Sequence, residues 1–407
     1  PVLMHRPPTD HTNQTPVRSA SSMSDMNTAS EYAAELDPAV RAEVERRTAT
    51  LIPPKNIDDA TALASAGPIV LDLLPGPEGL DEQTAENIVF TARQVRSERA
   101  IPFLARFTRH KSETVQTLLI ASWPAFDTDR YAEEVIACLG PDSLFFTVRS
   151  DEQLHALRNL GTRPMLGVLG NVSAEALTAY AYDAALTHIA IHKNTLLTDL
   201  SFLVGQTELR SIRIEDCPEL SDLSGIGALP LTTVRLINLT RGSRIRRLPP
   251  SSRVLDLTLP PQAAWRLEDL PGEAPLRCLH LTRATRLTGG LRGLSRRWPG
   301  LTELHLGPYS SPQTPDDWAE LGALPHLSDL RVAPNNLDIL PSGLVLPSIR
   351  TLRLEQDRFS PETVGQMARL CPQLAVLYLL GHVPTRYALE GLPPGVKVRA
   401  PDKDFIP

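Results

Sequence analysis

Only four cysteines occur in 407 residues, Cys138, Cys217, Cys278 and Cys371, and no two form a C-x-x-C pair. That scarcity leaves no disulfide framework and no cluster of cysteines anywhere along the chain. Isolated thiols are expected to pack in a cytoplasmic protein. No apolar run reaches the roughly eighteen residues of a membrane span, so no membrane partner is expected. The opening Pro1-Val-Leu-Met-His-Arg-Pro-Pro lacks the apolar core of a signal peptide, and its lack of an initial Met leaves a fragment or an extended reading frame open.

Catalytic signatures are missing too. There is no G-x-S-x-G elbow, no H-E-x-x-H helix and no cysteine in a catalytic context. Gly76-Pro-Glu-Gly79 and Gly289-Gly290-Leu-Arg-Gly293 lack the lysine and hydroxyl of a phosphate-binding loop. Neither an enzyme nor a cofactor is expected. A net charge of −6 argues against generic nucleic-acid binding, without closing that alternative.

What the chain does have is a recurring hexamer. Leu301-Thr-Glu-Leu304-His-Leu306 places leucine-type residues at positions one, four and six. The pattern recurs at Leu186-Ile189-Ile191, Leu209-Ile212-Ile214, Leu231-Val234-Leu236, Leu276-Leu279-Leu281, Leu327-Leu330-Val332, Ile349-Leu352-Leu354 and Leu374-Leu377-Leu379. Weaker copies keep the last pair at Phe146/Val148, Leu166/Val168, Leu255/Leu257 and Val396/Val398. Intervals of 19 to 26 residues fall in the range of leucine-rich repeats. Each hexamer reads as a short strand whose alternation sends two apolar residues inward and the residue between them outward. One repeat cannot bury its apolar face alone, so residues 141–407 are expected to stack into an α/β leucine-rich-repeat solenoid. About twelve strands then form a parallel sheet on its concave face. Family repeats commonly place Asn or Cys three residues beyond the hexamer; here Asn194, Cys217 and Asn335 fit, while Leu239, Pro260 and Ala284 do not.

Ahead of the solenoid, residues 1–30 are polar and aperiodic and are expected to be disordered. Residues 31–140 read as an all-α helical-repeat or capping block. Asp37-Pro38 opens a helix with Val40, Val44 and Leu51 on one face, and a second begins near residue 81 with Ala85, Ile88, Val89, Ala92 and Val95. Further helices start at Ser112 and at Asp127-Thr128. Within the solenoid, Ser150 with Gln153, Ser173, Thr314-Pro315 and Ser360-Pro361 read as helix starts.

The run from Phe103 to Gln116, with Ala121 to Val135, Leu51-Ile-Pro-Pro and Gly67 to Leu74, resembles the helical segment of actinobacterial NACHT-type (NLR-like) proteins. In that family a nucleotide-binding module precedes such helices, and leucine-rich repeats follow. The resemblance implies the non-catalytic recognition portion of a bacterial signalling or defence protein, without the nucleotide-binding module. The alternative is a free-standing interaction scaffold with no associated ATPase.

The outward residues between the apolar pairs run Thr147, Gly167, Ala190, Arg213, Arg235, Asp256, His280, His305, Arg331, Arg353, Tyr378 and Lys397. The candidate partner-binding stripe is therefore Arg213, Arg235, His280, His305, Arg331, Arg353 and Tyr378, with Arg210, Arg253, Arg277 and Arg350 available to extend it. Guanidinium groups offer two-pronged hydrogen bonding, which suits a protein partner with an acidic surface. The bland alternative is a solvated face whose charges pair locally with Glu215, Asp256, Glu303, Asp329 and Glu355. Residues 241–300 add twelve arginines against four acids. No aromatic interleaving for base stacking accompanies them. His280 and His305 occupy equivalent positions in successive strands, but two imidazoles fall short of the three or four ligands of a zinc site. No metal is expected there, and His188 and His192 are read as framework.

Overall fold

The computed structural model describes residues 38–407 apart from 141–143, 239–244, 246, 259–263, 283–285, 334–338, 359, 383–391, 401–402 and 406–407. The segment expected to be disordered lies outside the described residues, as do Asp37, Leu239, Pro260, Ala284 and Asn335. The chain divides into two compact units, one ending at Leu118 and the other beginning at Leu119.

In the first unit, short helices follow their capping residues. Asn56 accepts from Asp59 N at 2.9 Å and starts the helix Ile57–Ala64; Asp81 accepts from Thr84 N at 2.8 Å and starts Glu82–Val95. These two helices pack together, with Leu63, Ile88, Val89 and Ala92 fully buried. Asn87, buried between them and the preceding loop, donates to Pro54 O at 3.2 Å. The helix Pro38–Thr48 behaves differently from expectation. Val40 is exposed and only Thr48 is buried, because five of its eleven residues are charged and leave no continuous apolar stripe.

In the second unit, Tyr131 stacks on Phe126 at 5.1 Å and donates from its hydroxyl to Leu119 O at 2.8 Å. Its helix, Thr128–Glu134, packs on the first connecting helix, Asp151–Asn159. Strands then follow in order: β1 Phe146–Val148, β2 Met165–Leu169, β3 His188–His192, β4 Ser211–Glu215, β5 Thr233–Ile237, β6 Val254–Thr258, β7 Ala264–Trp265, β8 Cys278–Leu281, β9 Arg286–Leu287, β10 Glu303–Leu306, β11 Asp329–Val332, β12 Thr351–Arg358, β13 Val376–His382, β14 Lys397–Ala400 and β15 Lys403–Phe405. All but β7 and β9, which pair with each other, form one 13-stranded sheet in sequence order. Its first twelve strands are parallel and β15 closes the end antiparallel. A parallel sheet whose neighbours are successive in the chain is a solenoid, each connection returning over the same face.

Three devices hold the register. The inner pairs oppose one another strand by strand, from Leu166/Val168 through Ile212/Ile214 and Leu304/Leu306 to Leu377/Leu379, all at most 2% exposed. The carbonyl of the second hexamer residue accepts two N–H groups from the next repeat. Thr187 O takes Arg210 N and Ser211 N at 2.8 and 3.2 Å, and Arg210, Thr232, Arg253, Arg277, Thr302, Ser328 and Arg350 repeat the arrangement. At the other strand end, Gly170, Lys193, Asp216 and Asn238 have positive φ, and their N–H groups reach the last carbonyl of the neighbouring strand at 2.8 to 3.1 Å.

The connections are helical where a cap permits. Ser173, Thr314 and Ser360 each accept from the N–H three residues on and start Ala174–Asp183, Pro315–Gly322 and Pro361–Arg369. Ser150 likewise caps Asp151–Asn159, but Gln153 Oε1 accepts from Arg149 N, one residue ahead of the expected capping-box partner. Among the framework bonds expected beyond the hexamer, Asn194 makes the fullest set. Its side chain is completely buried, donates to Val172 O at 2.7 Å in the previous repeat, and accepts from Leu196 N and Leu197 N at 2.8 and 3.1 Å. Asn194→Ala strands buried backbone groups and should cost about 2 kcal/mol. Exposed Thr198→Ala should stay within about 0.5 kcal/mol. Urea unfolding followed by far-ultraviolet circular dichroism checks both.

Candidate functional site

The sheet face opposite the connections presents one central residue per strand. In register these are Thr147, Gly167, Ala190, Arg213, Arg235, Asp256, His280, His305, Arg331, Arg353, Tyr378 and Arg399. All seven residues of the candidate stripe lie in this row. Its end differs from expectation: Lys397 opposes Val376, and Arg399 opposes Tyr378. Val398 faces Leu377, the first member of the previous inner pair, so the apolar pair Val396/Val398 is displaced by two residues from the frame of the other repeats. Both Lys397 and Arg399 remain exposed on the same face. Arg210 and Arg253 do not extend the row. Arg210 pairs with Glu208 at 3.3 Å, and Arg253 donates to the carbonyls of Pro250, Ser251 and Ser252 in its own loop.

Charge pairing along the row changes its character. Arg213 meets Glu215 of its own strand at 2.7 Å. Arg331 on β11 reaches forward to Glu355 on β12 at 2.9 Å, while Arg353 on β12 reaches back to Asp329 on β11. That second contact is two-pronged, with Nε–Oδ1 at 3.0 Å and Nη2–Oδ2 at 2.9 Å, and the guanidinium lies 4.4 Å over the Tyr378 ring. Three of the four stripe arginines are therefore neutralised by the face itself. Arg235 is exposed and, among the described residues, has no carboxylate in ion-pair range. Between β6 and β12 the face is mixed in charge, with the arginines paired locally to acids of the same face.

At its middle, the His280 and His305 rings stack 4.1 Å apart and 11° from parallel. Both side chains are mostly buried, at 16% and 14% exposed. Glu303 Oε1 lies 2.8 Å from His280 Nε2 and 3.3 Å from His305 Nε2. His305 Nε2 is also 3.5 Å from Asp329 Oδ1, yet is aligned for a hydrogen bond with neither carboxylate. Asp256 Oδ2 approaches His280 Nδ1 at 3.9 Å, and Cys278 Sγ contacts Glu303 Oε2 at 3.6 Å. Burial would lower the His280 pKa, but Asp256 and Glu303 outweigh it and raise it above 6.5. At Asp329 burial is likewise outweighed, by His305 and Arg353, which hold the carboxyl below 3.8. Burial and then Glu303 push the Cys278 thiol up to about 11, so it stays protonated.

Sequence reasoning missed Glu303 as the group joining the two histidines. Its signal was the strand period: Cys278, Glu303 and Asp329 stand two residues before the central row and share its face. A smaller cluster sits on β3, where His192 Nε2 is 3.2 Å from Asp216 and 3.7 Å from Glu215.

Strand order, register and burial define an α/β repeat solenoid with a parallel sheet, leucine-type inner pairs and a polar outer sheet face. No family model and no curated protein matches the chain. Among solved structures it is similar to a leucine-rich-repeat protein of Leptospira interrogans, at 14% identity over 67% of this chain and 92% of that one, with a TM-score of 0.26.

Because His280 has a raised folded-state pKa, its charged form stabilises the fold fully below pH 6.5, and that contribution is lost as pH rises through the folded value. The stability difference between wild type and His280→Gln should therefore grow in favour of wild type on acidification from well above 6.5 to well below it. Paired urea titrations at the two pH values measure this; a difference that shrinks on acidification contradicts the electrostatic reading.

Proposed function

We propose that the chain is a non-catalytic recognition scaffold that binds a protein partner on the outward face of its parallel sheet. The carrying observation is the register: twelve strands neighbouring in the sheet align one outward position each in a single row, between inner neighbours that are buried. Packing constrains the inner residues, while the outer ones are free to be chosen for contact. Among the described residues no helix is long and apolar enough to cross a membrane. The four cysteines are free thiols, which supports a cytoplasmic setting.

An acidic partner surface fits the row at Arg235 and at its C-terminal end better than the mixed-charge stretch from β6 to β12. Arg235, Lys397 and Arg399 are exposed and, among the described residues, hold no carboxylate, whereas Arg331 and Arg353 already do. A second reading, the recognition portion of a NACHT-like protein, is supported by the helical segments around Phe103 to Val135. A phosphate-binding loop encoded in the same upstream frame would establish it; a frame without one leaves the free-standing scaffold.

For the scaffold reading, partners are captured from a lysate of the source cell, identified, and titrated as purified proteins. Reversing Arg235 and Arg399 to Glu should weaken association about tenfold, or ~1.4 kcal/mol. Fold stability should move by no more than about 0.5 kcal/mol at Arg235, and by about 1 kcal/mol at Arg399, which loses its contact with the Tyr378 ring. Raised salt should mimic the loss. Unchanged affinity at low salt would remove the row from the interface.

A further inference from the structure

The middle of the sheet face carries more chemistry than a docking surface needs. His280, Glu303 and His305 each offer one donor atom within 4.8 Å of the others. Asp329 supplies a further oxygen 3.5 Å from His305 Nε2. We infer that His280, Glu303, His305 and Asp329 form a binding site for a divalent transition-metal ion of the zinc class. This goes beyond the partner-binding reading and does not rest on it.

Three observations support the assignment. The first is spacing. Tetrahedral zinc bonds of about 2.0–2.1 Å set neighbouring donors roughly 3.3 Å apart. Successive donors here are 2.8 Å apart from His280 to Glu303, now a hydrogen bond, 3.3 Å from Glu303 to His305 and 3.5 Å from His305 to Asp329; the first three are mutually close, and Asp329, at the edge of the group, would close in as the fourth. The second is donor orientation. Asp256 lies 3.9 Å from His280 Nδ1, on the ring edge away from Glu303, so a small approach would place it where a carboxylate orients a metal-ligating imidazole and leaves Nε2 to the ion. Arg353 grips both oxygens of Asp329 and fixes that carboxylate from the side. The third is an imperfectly met donor: His305 Nε2 is buried 3.3 Å from Glu303 Oε1 and 3.5 Å from Asp329 Oδ1, yet is well aligned with neither. A buried ring nitrogen left this way costs free energy that a metal bond would recover.

The ring stack defines what binding must change. An imidazole lone pair lies in the plane of its ring, so rings 11° from parallel and 4.1 Å apart cannot both aim at one ion. Capture therefore turns one ring about its terminal torsion, a soft and broad coordinate for histidine. Cys278 is not assigned as a ligand, since its sulfur contacts the opposite oxygen of Glu303. Metal bonds from β8, β10 and β11 would tie three successive repeats together at mid-sheet.

The full chain is titrated with Zn2+ alone by calorimetry, and with Co2+ by absorption spectroscopy. One ion per chain is expected, with a raised melting temperature and a tetrahedral Co2+ spectrum lacking thiolate charge transfer. His280→Ala and Glu303→Gln should each weaken binding by more than about tenfold, since losing even an orienting neighbour of a ligand costs about 10–100-fold. His192→Ala, in the separate β3 cluster, should leave it unchanged. Absence of binding by the wild-type chain overturns the inference, a measurement that no folding defect of a variant can obscure. Binding that survives in His280→Ala, or a strong thiolate band, overturns the ligand set.

Discussion

Everything on the sheet face depends on one repeated hydrogen-bonding arrangement, in which a carbonyl at the second hexamer position accepts two N–H groups from the next repeat. It recurs from Thr187 to Arg350 and enters each strand at the same point. With the buried inner pairs it leaves no freedom to slip, because a one-residue shift would send every leucine outward. A fixed register is what converts a one-dimensional pattern into rows of aligned side chains. Without it Arg331 would not reach Glu355, nor would His280 stack on His305.

The rows also explain why a face with many arginines is not simply cationic. Like charges in register across strands about 4.8 Å apart repel. Here the repulsion is offset by acids two residues away on the same face. Arg331 and Arg353 cross between β11 and β12 in opposite directions, each finding its acid on the other strand. Ion pairs at this exposure contribute about 0–1 kcal/mol. Their main effect is to hold side chains in one arrangement that a partner would meet ready-made. Arg235 stands outside this pairing because its register neighbour Asp256 is turned toward His280.

The solenoid was legible because its constraint is local and periodic: apolar residues at positions one, four and six report burial directly. The outward row was legible for the same reason, from Thr147 to Tyr378. Its last member was not, since Val396/Val398 looks like any other inner pair and only backbone pairing shows Val398 opposite Leu377. The helix Pro38–Thr48 was legible as a helix through its proline, but its expected apolar face was not realised around Val40. Side-chain partners were harder still. Glu355 lies 24 residues from Arg331, and Glu303 lies 23 from His280; those spacings become contacts only when register and rotamer are both known.

The account stands or falls on whether the outward row is the contact surface. A photo-activated side chain placed singly at Arg235, His305 and Tyr378 reads this directly, with Tyr182 and Val204 as controls. Both controls lie on the connections and are well exposed, at 89% and 78%. The account predicts that the identified partner is cross-linked from the row positions and not from the controls. Cross-linking from Tyr182 or Val204, with none from the row, would contradict it.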